Sequence, residues 1–296
     1  SPDPLSIIAS VVGITTAALQ SAQFLVKTID NVSDAPSIVK NISADIHAVE
    51  PVLQNLDRAL QGDASQIILI DQIGPAVENC HRACKAFQSQ IEHWMKNSKD
   101  DKIFWVYRWK IGLFGQQRIR TFKGQLSDCK GTLSIALSTA TILALTGQKE
   151  LNKEQKDSIL EANEADLHQE LTRAGKEMVE IEDTLQQLTV SGGNKNEESE
   201  QSRQELLQEL QSQQAANTLF REMCEEALSR IVFERTGQNI KGVKATQNSS
   251  ALAGFINTSG EELKIRQDIS DVTADSKSFA AAGVIKNLNF KDLRPS

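Results

Sequence analysis

Metal binding is the first chemistry that the residue types suggest. Cys80, His81, Cys84 and His93 share one segment, and thiolate and imidazole groups are zinc ligands. Cys80 and Cys84, however, lie one turn apart on a predicted helix, and their spacing matches no standard zinc finger. The sequence therefore favours core packing of these thiols over a zinc site, and we predict no metal and no cofactor.

Catalytic motifs are the second kind of chemistry to consider. The histidines lie on separate segments with no Gly-x-Ser-x-Gly nearby, and the sequence contains no P-loop and no dinucleotide-binding fingerprint. Carboxylates are abundant, but most fall where a solvated helix face needs charge. We therefore predict no catalytic residue and no enzymatic activity, with an enzyme of unrecognised type as an alternative.

A basic, aromatic segment from Lys102 to Lys123 is a candidate membrane-docking or partner-binding surface. Arg and Lys attract anionic headgroups, and Trp and Tyr settle at the membrane interface. The residues that would dock are Trp105, Tyr107, Arg108, Trp109, Lys110, Arg118, Arg120 and Lys123. The alternative, which the sequence favours, is that Trp105 and Trp109 fill a helical core while the basic residues remain solvated. The net charge of −7 argues against a nucleic-acid partner.

Amphipathic helices must position these residues. Apolar stripes predict helices over 4–29, 38–60, 65–96 and 121–145, with bends or breaks near Pro51 and Pro75. The apolar run from Leu5 to Leu19 lacks the basic flank of a signal peptide and is short for a membrane span. Residues 1–147 are therefore predicted to form a helical bundle in the cytoplasm, with peripheral attachment at the plasma membrane as an option.

A heptad pattern occupies residues 148–236. One apolar seam runs from Leu160 to Leu188, interrupted by Glu164, and a second runs from Leu206 to Ile231. Ser191 to Ser202 supplies a flexible reversal between them. The pattern predicts two helices that pair as an antiparallel coiled-coil hairpin.

The tail, residues 237–296, contains a two-copy repeat in which 238–256 align without gaps to 267–285. Two β-forming copies can stack with each side chain above its counterpart. The predicted assembly positions are Ile240, Val243, Ala245, Ser249, Ala251, Gly254 and Ile256 in the first copy and Ile269, Val272, Ala274, Ser278, Ala280, Gly283 and Ile285 in the second. A disordered tail is the alternative. The predicted fold is mainly α: a helical bundle, a long antiparallel coiled-coil hairpin and a short β-type repeat tail.

Three segments together resemble a known family. DPLSIIASVVGITTAALQSA (3–22), CKGTLSIALST (129–139) and ERTGQNIKGVKATQNSSALAGFIN (234–257) are similar to fungal proteins with the HeLo-like N-terminal domain. That domain begins fungal STAND receptors and occurs in the azaphilone pigment cluster protein L group. The tail is similar in layout to the paired amyloid motifs of HET-s-type proteins. The resemblance implies a cell-death or membrane-targeting effector, triggered when a receptor's matching motif templates the tail.

These observations predict a regulated signalling effector or adaptor without enzymatic activity. Its expected partners are another copy of itself or a receptor with a matching motif, together with a membrane or protein that the bundle contacts. A homo-oligomer is one expected state. The alternative is a structural scaffold that oligomerises through the coiled-coil hairpin and carries an inert tail.

Overall fold

The structure is a computed structural model of the chain. It describes residues 4–31, 37–62, 70–96, 115–190 and 197–236, and the short ranges 238–240, 244–245, 251–253, 267–269, 273–274 and 280–282. Over these residues the protein is mainly helical, as the sequence predicts.

The helices among the described residues are α1 (Pro4–Asp30), α2 (Ser37–Gln61), α3 (Ile70–Lys96), α4 (Gly115–Thr146), α5 (Lys153–Val190) and α6 (Glu197–Thr236). The strands are β1 (Gln238–Ile240), β2 (Lys244–Ala245), β3 (Ala251–Ala253), β4 (Gln267–Ile269), β5 (Thr273–Ala274) and β6 (Ala280–Ala282).

Several helix bounds differ from the sequence-based expectation. Pro51 lies inside a continuous α2, and α3 begins at Ile70, upstream of Pro75. Each proline removes one backbone donor from the helix interior, and neither one ends its helix. Helix α4 begins at Gly115, earlier than expected, and α6 begins at Glu197, within the predicted reversal. The apolar pattern alone does not mark these ends, since polar turns also belong to helices.

The described chain divides into two compact units. The first contains 1–140 and 170–224, and the second contains 141–169 and 225–296. In the first unit α1 packs against α2 and α3. Gly74 of α3 lies against α1, where an added Cβ would stand 3.5 Å from Cγ2 of Val11. The same two helices are joined where Nδ1 of His81 lies 2.7 Å from Oγ of Ser21.

Helix α4 packs against α2 and α3 within the first unit. The rings of Phe87 and Phe122 stack with centroids 4.4 Å apart and planes 3° apart. Lys123 forms an ion pair with Asp45, at 3.2 Å between Nζ and Oδ2. Both contacts hold the first half of α4 in place.

Helices α5 and α6 also pack against each other. In the first unit Leu188 clusters with Leu206 and Leu210, and Ala174 clusters with Phe220 and Cys224. In the second unit Nη2 of Arg235 lies 2.8 Å from Oε2 of Glu164, the polar residue that interrupts the first seam. The interruption thus has a charged partner, so Glu164 is not an unpaired polar residue in an apolar interface.

The strands of the tail, in the second unit, pair between the two repeat copies. β1 pairs with β4, β2 with β5 and β3 with β6, all in parallel. Gln238 pairs with Gln267 and Ala251 with Ala280, so each residue meets the one 29 positions further along the chain. This register is the one in which the two copies align.

Candidate functional site

The predicted membrane-docking residues fall in different environments. Trp105, Tyr107, Arg108, Trp109 and Lys110 lie outside the described residues. Arg120 is exposed, and Lys123 is half-buried beside Asp45. Arg118 is only 3% exposed, so it is an interior residue here rather than part of a docking surface. Its position on α4 leads to a feature that the sequence did not reveal.

Arg118 joins three segments of the first unit. Its guanidinium donates to the carbonyl of Ser202 at 3.0 Å and to Oε2 of Glu205 at 2.7 Å, both on α6. It also donates to the side chain of Gln90 on α3, and Nη1 lies 3.6 Å from Oε1 of Glu209. A guanidinium offers five donors in a fixed fork, which suits one side chain to several acceptors.

Arg118 is the first member of a buried polar face on α4. The face comprises Arg118, Thr121, Gln125, Asp128 and Thr132, all buried. Their spacings of three and four place them on one side of the helix. Gln125 donates from Nε2 to the carbonyl of Glu209 at 2.7 Å, so the face meets α6. Polar side chains therefore stand where an interface between helices is normally apolar.

Two glycines let α5 and α6 approach α4 closely. A Cβ at Gly124 would lie 2.9 Å from Cδ of Gln213 and 3.0 Å from Oε1 of Glu177. A Cβ at Gly131 would lie 2.5 Å from Cε2 of Phe220. Real Cβ atoms do not come as close to a ring as at Gly131, so that position requires glycine for the packing seen, whereas a side chain at Gly124 would displace the flexible ends of Gln213 and Glu177.

Asp128 and Asn217 are the most deeply buried polar pair of this interface. Both are 0% exposed. Neither carboxylate oxygen of Asp128 and neither amide atom of Asn217 makes a hydrogen bond of good geometry to another described residue. Burial, together with the charge of Glu177, raises the pKa of Asp128 to about 8 despite nearby Arg173. Loss of hydration disfavours the charged form of a carboxyl, so Asp128 holds a proton at neutral pH.

The carboxyls around Arg118 titrate differently. Burial raises the pKa of Glu209 to about 7, although Arg118 partly offsets it. Burial also opposes ionisation of Glu205, but the hydrogen bond and charge of Arg118 outweigh it and lower its pKa. Glu205 is thus the ionised partner of Arg118, and Glu209 is the carboxyl that titrates near neutrality.

Three of the cysteines form a buried thiol cluster. Cys80, Cys84 and Cys129 are buried and unbridged, and Cys80 interacts with both of the others. A hydrogen bond with Cys80, together with burial, raises the pKa values of Cys84 and Cys129. His93 is exposed, and His81 pairs with Ser21. Among the described residues no group of three or more His, Cys, Asp and Glu side chains has the arrangement of a metal site.

Two helices among the described residues are long and apolar enough to cross a membrane. They are α1 over Ser6–Asp30, with a mean hydropathy of 1.4, and α4, with 1.3. Core helices of soluble proteins meet the same criterion. The buried polar face of α4 is suited to protein contacts and not to lipid, because a charge facing hydrocarbon is costly.

The predicted assembly residues are only partly described. Ile240, Ala245 and Ala251 lie in strands of the first copy and are paired with Ile269, Ala274 and Ala280 of the second. The others lie outside the described residues: Val243, Ser249, Gly254, Ile256, Val272, Ser278, Gly283 and Ile285. The repeat therefore contributes backbone pairing at each described assembly position.

Sequence reasoning missed Gln213 and Asn217 of α6. Both are buried and lie between Leu210 and Phe220 at the four- and three-residue spacing of the seam. Extending that spacing through polar positions would have found them. It would also have indicated that α6 faces polar partners.

Comparison with known proteins places most of the chain in one family. Residues 2–221 match the family model described as "Pigment biosynthesis cluster protein PigL N-terminal". No curated protein and no solved structure matches the chain.

Proposed function

Because the chain belongs to the family of the pigment biosynthesis cluster protein PigL N-terminal domain, we propose that it is a non-enzymatic fungal signalling effector or adaptor. Its tail mediates homotypic, amyloid-like assembly. Its helical bundle acts on a membrane or a protein partner. A coiled-coil hairpin formed by α5 and α6 connects the two, and the protein works in the cytoplasm or at the plasma membrane.

The strand pairing of the tail is the observation that carries this proposal. All three pairs are parallel and share one register. A single chain thereby supplies two layers of a stack in which like residues lie on like, such as Ile240 on Ile269. Parallel, in-register stacking of this kind is the arrangement of amyloid assemblies.

The edges of these sheets support growth by addition of further copies. Over the described residues each sheet has two strands, so each strand has a partner on one side only. An unpaired strand edge offers backbone N–H and C=O groups to an incoming strand. A third copy, from another chain or from a receptor with a matching motif, would continue the stack.

Charge placement favours alternation of the two copies. Lys244 pairs with Thr273 and Asp268 with Asn239, so neither charge lies on a like charge. Stacking a copy on its own kind would place Lys on Lys at the strand spacing of about 4.8 Å. Avoidance of this charge repulsion therefore favours a stack in which the first and second copies alternate.

We assign the action of the bundle to the exposed side of α1. Phe24 on α1 is 54% exposed, and only 22% of the apolar window of that helix is buried. The exposed side of α1 carries Phe24 among small and polar residues such as Thr16 and Gln20, so Phe24 is the large apolar contact that this side offers to lipid or to a protein. Liposome binding by the assembled protein, compared with the Phe24→Ser variant, tests the lipid branch.

Seeded assembly of the full chain tests the tail. Leu252→Pro and Ala281→Pro each remove a backbone donor from paired strands β3 and β6. Leu252→Ala is the matched control, because it changes the side chain and keeps the donor. We expect fragments of wild-type fibrils to seed the wild-type protein and the Leu252→Ala variant, and the seeded fibrils to give a cross-β diffraction pattern. Neither proline variant should be seeded.

A chain that stays soluble with seeds would contradict the assembly role. The remaining interpretation would then be a scaffold that oligomerises through α5 and α6 with an inert tail. Equal seeding of the proline variants would also count against the proposed pairing.

A further inference from the structure

The interface between α4 and the helices α5 and α6 contains buried polar side chains, which suit an interface that opens and closes. The interface contains Arg118, Gln125 and Asp128 from α4 and Gln213 and Asn217 from α6, all buried. Buried polar groups contribute less net stability than apolar packing and become costly when a partner is lost or a charge appears. Such an interface responds to protonation more sharply than an apolar one.

The charges of the interface do not balance. Arg173 faces Glu170, Glu177 and Asp128, and Arg118 faces Glu205 and Glu209. Two guanidinium groups therefore meet five carboxyls. Full ionisation would leave an excess of negative charge at the interface, and the cost is greatest at Asp128, which is fully buried.

Asp128 has the surroundings of a carboxyl that must stay neutral. Its oxygens and the amide of Asn217 are buried without mutual hydrogen bonds of good geometry. A protonated carboxyl offers an O–H donor beside its acceptor oxygen, and the amide of Asn217, which acts on Asp128, can both donate and accept. The other charged or titratable groups that act on this site are Glu170, Arg173 and Glu177 of α5 and the thiol of Cys129 on α4.

Glu209 is the second carboxyl of this kind. Its backbone carbonyl accepts from Gln125, and its side chain lies 3.6 Å from Arg118, which is already bonded to Glu205. Two charges act on Glu209: Arg118 stabilises its ionised form, and Glu205 opposes it. One guanidinium shared by two carboxylates leaves the more distant one poorly compensated.

We propose that α4 and the pair α5–α6 form a proton-dependent latch, docked while Asp128 and Glu209 hold their protons and loosened when both carboxyls ionise. The opened latch uncovers the face of α4 around Gly124 and Gly131 and the ring of Phe220. The device does not rest on the proposed assembly function, since it involves only contacts within the first unit.

The direction of the pH effect follows from proton linkage. Both carboxyls have raised pKa values in the folded protein, about 8 for Asp128 and about 7 for Glu209. The docked state therefore binds more protons than the opened one over the range from the ordinary carboxyl pKa up to these values. The contribution to docking is complete below that ordinary pKa and is lost as the pH rises through about 7 and about 8.

Hydrogen exchange of the full chain, with rates corrected for intrinsic pH dependence, tests the latch. Each titrating carboxyl should lower the protection of α4 and α6 amides by up to about tenfold per pH unit, Glu209 up to about pH 7 and Asp128 up to about pH 8. D128N and E209Q should each remove part of this dependence, and the double variant should remove it. E182Q is the matched control. Glu182 is an exposed residue of α5 outside the interface, so this variant should behave as wild type.

Three results would overturn the latch. The first is that the protection of α4 and α6 does not change with pH. The second is that both single variants keep the pH dependence of the wild type. A loss that is equal in α1, α2 and α3 is the third, because it would report global unfolding. Each single variant carries the test alone should the other fail to fold. None of these outcomes bears on seeded assembly, which is measured separately.

Discussion

Gly131 of α4 lies directly against the ring of Phe220 of α6. An added Cβ would stand 2.5 Å from Cε2, 3.0 Å from Cδ2 and 3.1 Å from Cζ. Phe220 is fully buried and clusters with Ala174 and Cys224, so the ring has little room to move. The absence of a side chain at Gly131 therefore sets how close the two helices come.

Gly131→Ala should destabilise the protein. Overpacking of a closed interface costs about 1–3 kcal/mol, which exceeds the gain in helix propensity from glycine to alanine of about 1 kcal/mol. We expect a lower free energy of unfolding in urea, followed by helical circular dichroism.

Gly175→Ala on α5 is the matched control. Nothing lies within 4 Å of a Cβ at Gly175, so this change should stabilise the protein by about 0.5–1 kcal/mol. Two variants that shift stability in the same direction and by the same amount would contradict the close packing at Gly131.

Arg118→Ala should be strongly destabilising, whereas Arg120→Ala should not. Loss of Arg118 removes its hydrogen bonds to Ser202 and Glu205 and takes the cation away from Glu209, whose side chain is 25% exposed. Breaking a buried ion pair costs about 3–5 kcal/mol, and the low end applies here because Glu205 is 45% exposed.

Arg120 is exposed, and its loss should change stability by no more than about 0.5 kcal/mol. Urea denaturation of both variants makes the comparison. A similar small effect for the two arginines would show that Arg118 behaves as a surface residue in solution.

The thiols should be unreactive in the native protein. Cys80, Cys84, Cys129 and Cys224 are all buried and unbridged, and a buried thiol meets a bulky reagent only when the structure opens. We expect reaction with an aromatic disulfide reagent to be slow in buffer, complete in denaturant and unaffected by a metal chelator. Faster reaction after chelation would reveal a bound metal and contradict simple packing.

Helix existence was predictable from the sequence because apolar stripes repeat at helical spacing in every long element. The role of Arg118 was not. The sequence predicts that a basic residue beside aromatic side chains is solvated. The carboxyls that contact Arg118 lie on α6, far along the chain, and the local sequence does not reveal them. Gln213 and Asn217 escaped notice for a related reason: polar residues on a seam look like interruptions until the polar face of α4 supplies their partners.

The repeat register was predictable because gap-free alignment fixes which residues correspond. The parallel pairing of the copies does not follow from the alignment alone, since two similar strands can also form a hairpin. Backbone pairing depends on how the connection between the copies runs, and sequence identity between the copies carries no information about that path.

Cross-linking in the assembled tail tests the register directly. A peptide of residues 238–296 contains none of the native cysteines, so introduced ones report cleanly. Asn239 and Asp268 are register partners in β1 and β4. Asn239→Cys with Asp268→Cys should form a disulfide in the assembled peptide under mild oxidation, because directly paired residues on adjacent strands have neighbouring side chains.

Asn239→Cys with Ile269→Cys is the control for that experiment. Ile269 is one position out of register with Asn239, and successive side chains of a strand point to opposite faces of the sheet. Mass spectrometry of the two oxidised assemblies should find the cross-link mainly in the first pair. Equal yields would mean that the strands slip, and a preference for the second pair would replace the 29-residue register by one shifted by a single residue.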